Sequence, residues 1–136
     1  MGQTSFSGPM KVGKQGSGGD VTLVKMATLT QNSTTAVDAT IDLPAGSSIL
    51  DAFFDVLTVW DSATSATGTI GTASAGTQYG GGVNLKTATR GTPTYSNDQL
   101  AAMNDVGSNT SVVFTATPSG ATTAGTARCV VRYVMR

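Results

Sequence analysis

The sequence predicts an all-β protein, a β-sandwich or jelly-roll with a flexible N-terminal arm. Three observations carry that prediction. Short stretches of alternating apolar and polar residues recur along the chain, separated by turns rich in Gly, Pro, Ser and Thr. The chain contains no Glu, one of the common helix formers, while β-branched and aromatic residues fill the apolar stretches. The first twenty residues hold six of the seventeen Gly and few apolar side chains, so they cannot offset their own ordering entropy in isolation. With 136 residues the chain is expected to form one domain: an arm over 1–20 and a sandwich over 21–136, long enough to bury a core without staples.

The first twenty residues read either as a floppy chain end or as an arm that orders against another subunit. Phe6, Pro9, Met10 and Val12 are its apolar residues, and Lys11 and Lys14 its side-chain cations. A free tail has little use for Phe, Met and Val, so the arm is expected to order against another subunit, anchored by Phe6 and Pro9. Gly8 to Gln15 nearly spells a phosphate-binding loop. Gln15 stands where Ser or Thr must hold magnesium, and a Gly-Ser-Gly-Gly run follows where a helix should begin, so nucleotide binding is not expected.

Val21 to Thr30 reads as a strand with Val21, Leu23, Ala27 and Leu29 on one face and Val24 and Met26 on the other. Val37, Ala39, Ile41 and Leu43 alternate with Asp38, Thr40 and Asp42, a half-buried strand. Pro44-Ala45-Gly46 is a turn in which Gly permits the positive φ of type II geometry.

Ile49 to Asp61 holds two of the four Phe and the only Trp, which makes it the expected centre of the core. It also fits helical spacing, but its β-branched second half and its strand-like neighbours favour a strand. Leu50, Ala52, Phe54, Val56, Thr58 and Trp60 then form an almost wholly apolar face. The opposite face, Ile49, Asp51, Phe53, Asp55, Leu57, Val59 and Asp61, is half apolar and half acidic. A face meant for water would be more polar, so Phe53, Leu57 and Val59 are expected to meet a partner. Thirteen residues at about 3.3 Å each would span about 40 Å, long for one strand, and a bend or bulge is expected within it.

Ser62 to Gly68 reads as a loop, Thr69 to Thr72 as a short strand, Ala73 to Gly82 as a loop and Val83 to Thr87 as a strand, with a turn over Thr89 to Thr94. Ser96 and Gln99 stand at capping-box spacing before Leu100 to Met103, the signal of a short helix. Ser111 to Thr117 is a strand with Val112, Phe114 and Ala116 inward, followed by a turn over Pro118 to Gly125. In the last strand Ala127, Cys129, Val131, Tyr133 and Met135 share one face, and Arg128, Val130, Arg132, Val134 and Arg136 the other.

Composition excludes several functions. With no His, the His-based triads, the common zinc sites and the usual neutral-pH base are absent. Asp51 and Asp55 lie about 13 Å apart along a strand, too far for a glycosidase pair. No enzyme, cofactor or metal is expected. Eight acids balance eight bases, so neither nucleic acid nor a charged membrane surface is the expected partner. No apolar run reaches the length of a membrane span, and no basic-then-apolar N-terminal stretch suggests a secretory signal. The single Cys, Cys129, is expected to be a buried small hydrophobe. Acids crowd residues 38–61 while Arg128, Arg132 and Arg136 line one face of the last strand, a segregation that suits subunits meeting acidic surface to basic surface.

Three pieces of the chain resemble the head decoration, or cement, proteins of tailed bacteriophages. They are Ser5-Phe6-Ser7-Gly8-Pro9, the run Ile41 to Asp51 continuing into Val59-Trp60-Asp61 and Thr69 to Thr72, and Gly120 to Ala127 leading into Val130-Val131-Arg132-Tyr133. The resemblance implies a structural virion protein, made in the host cytoplasm and seated on the capsid surface. It implies a homotrimer whose arm clips onto the major capsid protein or a neighbouring subunit, with no catalysis. Related phrases occur in tail, fibre and head-completion proteins. A different class, a lectin-like carbohydrate-binding module, would need exposed aromatic platforms, and Tyr79 and Tyr95 are the candidates that the core leaves in loops.

Overall fold

The computed structural model describes residues 21–87 and 90–135. Eight strands and one short helix follow in order: β1 (Leu23–Thr30), β2 (Val37–Leu43), β3 (Ser47–Thr58), β4 (Ser65–Gly71), β5 (Gly80–Asn84), β6 (Arg90–Gly91), α1 (Asn97–Asn104), β7 (Thr110–Ser119) and β8 (Thr126–Met135). They form two four-stranded sheets, β1-β8-β3-β6 and β2-β7-β4-β5. Every pairing is antiparallel. The adjacent pairs 1·8, 2·7, 3·6 and 4·5 are those of one long hairpin rolled over on itself, with alternate pairs falling in alternate sheets. This is the eight-stranded jelly-roll, and the all-β expectation holds.

The core lies between the sheets. Leu29, Ala39, Ile41, Leu43, Ala52, Phe54, Val56, Ile70, Val112, Phe114, Ala127, Cys129 and Val131 fill it. At its centre the Phe54 and Phe114 rings meet edge to face, 5.3 Å apart at 81°, the arrangement ring quadrupoles favour. The inward faces assigned to β2, β7 and β8 are the observed ones, except that Met135 at the end of β8 is 42% exposed.

Most differences between expectation and structure fall where small residues make room for large ones. The segment taken as a loop up to Gly68 is strand from Ser65, and its inward residues are small because a Cβ at Gly68 would lie 2.7 Å from Cε1 of Phe54. The glycines assigned to a loop open β5, which ends at Asn84 instead of running to Thr87. Leu85, just past it, is still fully buried, held by hydrogen bonds from its N–H to the Ala66 carbonyl and from the Trp60 N–H to its own carbonyl. Two residues of the expected turn after it, Arg90 and Gly91, pair with Asp55 and Phe54 as β6. Pro118 lies within β7, which continues to Ser119.

The long central strand carries the expected irregularity twice. Register shifts fall between Ile49 and Asp51 and between Val56 and Thr58. Each places an extra residue, Leu50 and then Leu57, opposite none on β8, and the first reverses the inward alternation. So Ile49 is buried and Leu50 is 49% exposed, the opposite of the expected assignment. Past the second shift, Val59 is partly buried against the core, where a partner contact was expected.

Local chemistry sets the ends of the elements. The turn after β2 has the Ser47 N–H bonded to the Pro44 carbonyl and Gly46 at φ 79°, the type II arrangement. The helix opens on the predicted capping box: Gln99 N–H donates to Ser96 Oγ, and Ser96 N–H to Gln99 Oε1. The helix segment then guards a strand edge. β3 pairs with β6 at Phe54 and Asp55, and ahead of these the Tyr95 hydroxyl accepts from the Ala52 N–H at 3.2 Å and donates toward the Ala52 carbonyl at 3.1 Å and Asp51 Oδ1 at 3.0 Å. A phenol thus stands in for a neighbouring strand.

Candidate interaction surface

The outward face of the β1-β8-β3-β6 sheet gathers most of the described residues assigned to partner contact. Strand register arranges it in rows. Met26, Val130 and Phe53 form an apolar row across β1, β8 and β3. On one side lies the row Val24, Arg132, Asp51, and on the other Thr28, Arg128, Asp55, Arg90.

Two of the three arginines on this face are matched by carboxylates within the chain. Arg132 Nη2 lies 3.3 Å from Asp51 Oδ2, and Arg128 Nη1 lies 3.7 Å from Asp55 Oδ2. The acids and bases segregated along the sequence are therefore cross-strand neighbours, because β8 inserts between β1 and β3. Both arginines remain about half exposed, so each pair contributes no more than ~1 kcal/mol. Three guanidiniums against two carboxylates leave the rows with a small positive excess.

Of the outward apolar residues, Phe53 is 8% exposed and is not left bare as expected. The Arg90 guanidinium sits 5.1 Å from its ring centroid, a cation–π cover supplied by β6. Val130 beside it is also buried. The uncovered residues are Leu57 at 52%, as expected, Leu50 at 49%, and Val24 and Met26 on the sheet edge at 50% and 61%. The edge pair reads from sequence as the second face of the first strand; its exposure depends on β1 lying outermost. Phe6, Pro9, Met10, Lys11, Lys14 and Arg136 lie outside the described residues.

Among the described residues, neither tyrosine expected as a platform for glycan binding is freely displayed. Tyr79 is 4% exposed and burial raises its pKa. Tyr95 is tied to Asp51 and Ala52, and burial pushes its pKa to about 12. Cys129 is fully buried as expected, and desolvation pushes its thiol to about 12. On the surface, Asp61 clamps the loop before β8. Its carboxylate accepts from the Thr123 hydroxyl and from the Thr123 and Ala124 N–H groups, which hold its pKa down at about 2.

Among the described residues no three His, Cys, Asp or Glu side chains gather as a metal site, and no helix is long and apolar enough to cross a membrane. No family model, no curated protein and no solved structure matches this chain.

Proposed function

We propose that this protein is a structural virion component, a decoration protein that binds the outside of a tailed-phage head and stabilises it. The observation that carries the reading is the outer face of the β1-β8-β3-β6 sheet, where Val24, Met26 and Leu57 flank a patch in which two of three arginines are already paired with carboxylates. Such a face suits a protein partner better than a nucleic acid, which would call for concentrated positive charge. The resemblance of the three sequence pieces to cement proteins supports it. The jelly-roll is compatible, since viral capsid proteins use it, but lectins use it too, so fold is the weaker argument.

Size indicates how attachment would work. Three long strands at about 4.8 Å spacing and about 27 Å long, with the two-residue β6 beside them, offer about 400 Å². A stable pairwise interface takes about 800 Å² a side. One face is therefore too small for tight binding alone, and attachment would draw on several contacts at once: neighbouring subunits in a homotrimer, and the arm on the major capsid protein. Binding only the closed shell raises the free energy needed to open it.

The test presents the purified full chain to intact phage heads and, separately, to a glycan array. Co-sedimentation with heads, and a higher temperature for head opening, are expected. Glycan binding without affinity for heads refutes the proposal in favour of the lectin-like module.

A further inference from the structure

At one end of the sandwich the start of β1 and the end of β8 come together with the end of β2 and the start of β7; Leu23 pairs with Tyr133 there, and Leu43 with Thr110. A cleft of about 570 Å³ opens at this end, within the range of small-molecule sites, about 300–1,000 Å³. Leu43, Pro44 and Tyr133 give it an apolar lining, and Lys25, Asp42, Asn109, Thr110 and Ser111 give it polar groups. The protein itself holds those groups in place. Lys25 Nζ donates to the Asp42 carbonyl at 2.7 Å, Ser111 Oγ to Asp42 Oδ1 at 2.7 Å, the Ala45 N–H to Asn109 Oδ1 at 2.8 Å, and Thr110 Oγ1 to the Ser108 carbonyl at 2.9 Å. These bonds leave valences open. Asn109 keeps its amide N–H donors, because its oxygen is the occupied end. Lys25 keeps further N–H donors, and Asp42 Oδ2, Thr110 Oγ1 and Ser111 Oγ keep lone pairs. Among the described residues, neither the Lys25 ammonium nor the Asp42 carboxylate has an ion-pair partner.

We infer that this cleft is a binding site for a neutral sugar, one hexopyranose unit held through adjacent hydroxyls. An anion or a cation would meet one charge of each sign and gain no net attraction. What the cleft offers is donors and acceptors side by side. A hydroxyl uses both, donating to one neighbour while accepting from another. One hydroxyl accepts from the Lys25 ammonium and donates to Asp42 Oδ2. The next accepts from the Asn109 amide and donates to the oxygen of Thr110 or Ser111. The C–H face of the ring then lies against Leu43, Pro44 and Tyr133. Bonds to charged groups are the stronger ones, so Lys25 and Asp42 carry most of the affinity. Their side chains are already fixed by the protein, so binding has little to order. Lys25, Asp42 and Asn109 are exposed, however, and so open a site for a small ligand has a dissociation constant of about 1 mM or weaker. The inference does not rest on attachment to heads. Val24, Met26 and Arg132 of the outer face do not line the cleft, so a sugar here is compatible with a protein partner there.

The test titrates the isotope-labelled full chain with the methyl glycosides of glucose, galactose, mannose and N-acetylglucosamine, and separately with glycine, following the amide resonances. With at least one glycoside, the amides of Asp42, Leu43, Thr110 and Ser111 are expected to shift and to saturate with a midpoint of about 1–10 mM. Those of Thr67 and Asn84, which do not line this cleft, are expected to stay in place. Asp42→Asn, which turns the open acceptor into a donor, and Lys25→Gln, which removes the ammonium, are both changes at exposed positions. Each is expected to keep the melting temperature and to weaken binding about tenfold. No shift at the cleft residues with any of the four glycosides overturns the inference, as does binding that neither substitution weakens. Tighter binding of glycine than of any glycoside at the same residues means that the cleft takes a zwitterion, and overturns it too.

Discussion

Replacing Gly125 by Ala tests the packing of the core where the geometry leaves least freedom. A Cβ at Gly125 would lie 2.6 Å from Cδ2, 2.8 Å from Cε2 and 2.9 Å from Cγ of Trp60, whose side chain is 1% exposed. Carbon atoms rest at about 3.5–4.0 Å, so ring and backbone must part by about 1 Å. Neither is free to move. The Gln31 N–H holds the Gly125 carbonyl at 3.0 Å, the Asp61 N–H holds the Ala124 carbonyl at 3.2 Å, and the Trp60 N–H holds the Leu85 carbonyl at 3.0 Å. Overpacking costs ~1–3 kcal/mol, and a pinned backbone on both sides puts Gly125→Ala near ~3. At about 4 °C per kcal/mol for a domain of this size, melting should fall by about 12 °C. Trp60 is the only Trp, so its emission reports both the unfolding transition and any displacement of the ring. Gly82→Ala is the control: its φ of +72° strains an alanine, but nothing lies within 4 Å, so only the backbone cost of ~1 kcal/mol is expected. A Trp60→Phe change should be less harmful in the Gly125→Ala background than alone, with a coupling of ~1 kcal/mol or more. A loss below ~0.5 kcal/mol with unaltered emission would refute the claim that this contact is rigid.

Tyr95→Phe should cost ~2 kcal/mol in chemical denaturation, because it leaves the Ala52 N–H and carbonyl without their partner on an unpaired strand edge. Tyr95 itself should resist ultraviolet titration until about pH 12; since its folded pKa lies above the usual 10, its contribution is complete below pH 10 and disappears as pH rises through about 12. For Asp61 the sign is opposite: a carboxyl held at about 2 against an ordinary 3.8 contributes fully above about pH 4 and loses that contribution as pH falls through about 2, so Asp61→Asn should flatten the acid limb of the melting-temperature profile. Reversing Arg128, Arg132 and Arg136 to Glu should lower stability by no more than ~2 kcal/mol, since the pairs are half exposed, yet weaken head attachment in a salt-sensitive way; unchanged attachment would show that the stripe only keeps the chain soluble.

Much of the fold is legible because its signals are local. The alternation in Val37–Leu43 and Thr126–Met135, the Gly46 turn and the Ser96–Gln99 box each depend on residues within a few positions of one another, and each appears as expected. The short strands are legible only in part: Thr69 to Thr72 and Val83 to Thr87 mark the ends of β4 and β5, while the starts of both and the whole of β6 are not legible. Their residues are small or glycine because side chains from the other sheet occupy their space: Phe54 over Gly68, and Val83 against Gly91. That information resides in distant segments. Among the candidate contact residues, Leu57 points outward as its position suggests, while Phe53 is covered by an arginine from a two-residue strand that has no sequence signature.

By itself, the sequence determined that this chain would be β, where most of its turns fall, and that its chemistry would lack histidine-based catalysis, since composition and period are properties of neighbouring residues. Only the tertiary structure decided that β8 would lie between β1 and β3, and so that Arg128 and Arg132 would be neutralised by Asp55 and Asp51. It also decided where β3 would bulge, which turned Ile49 inward and left Leu50 and Leu57 in water. Strand order and register minimise free energy over pairs of segments far apart in the chain, and no window along one strand contains both members of the pair.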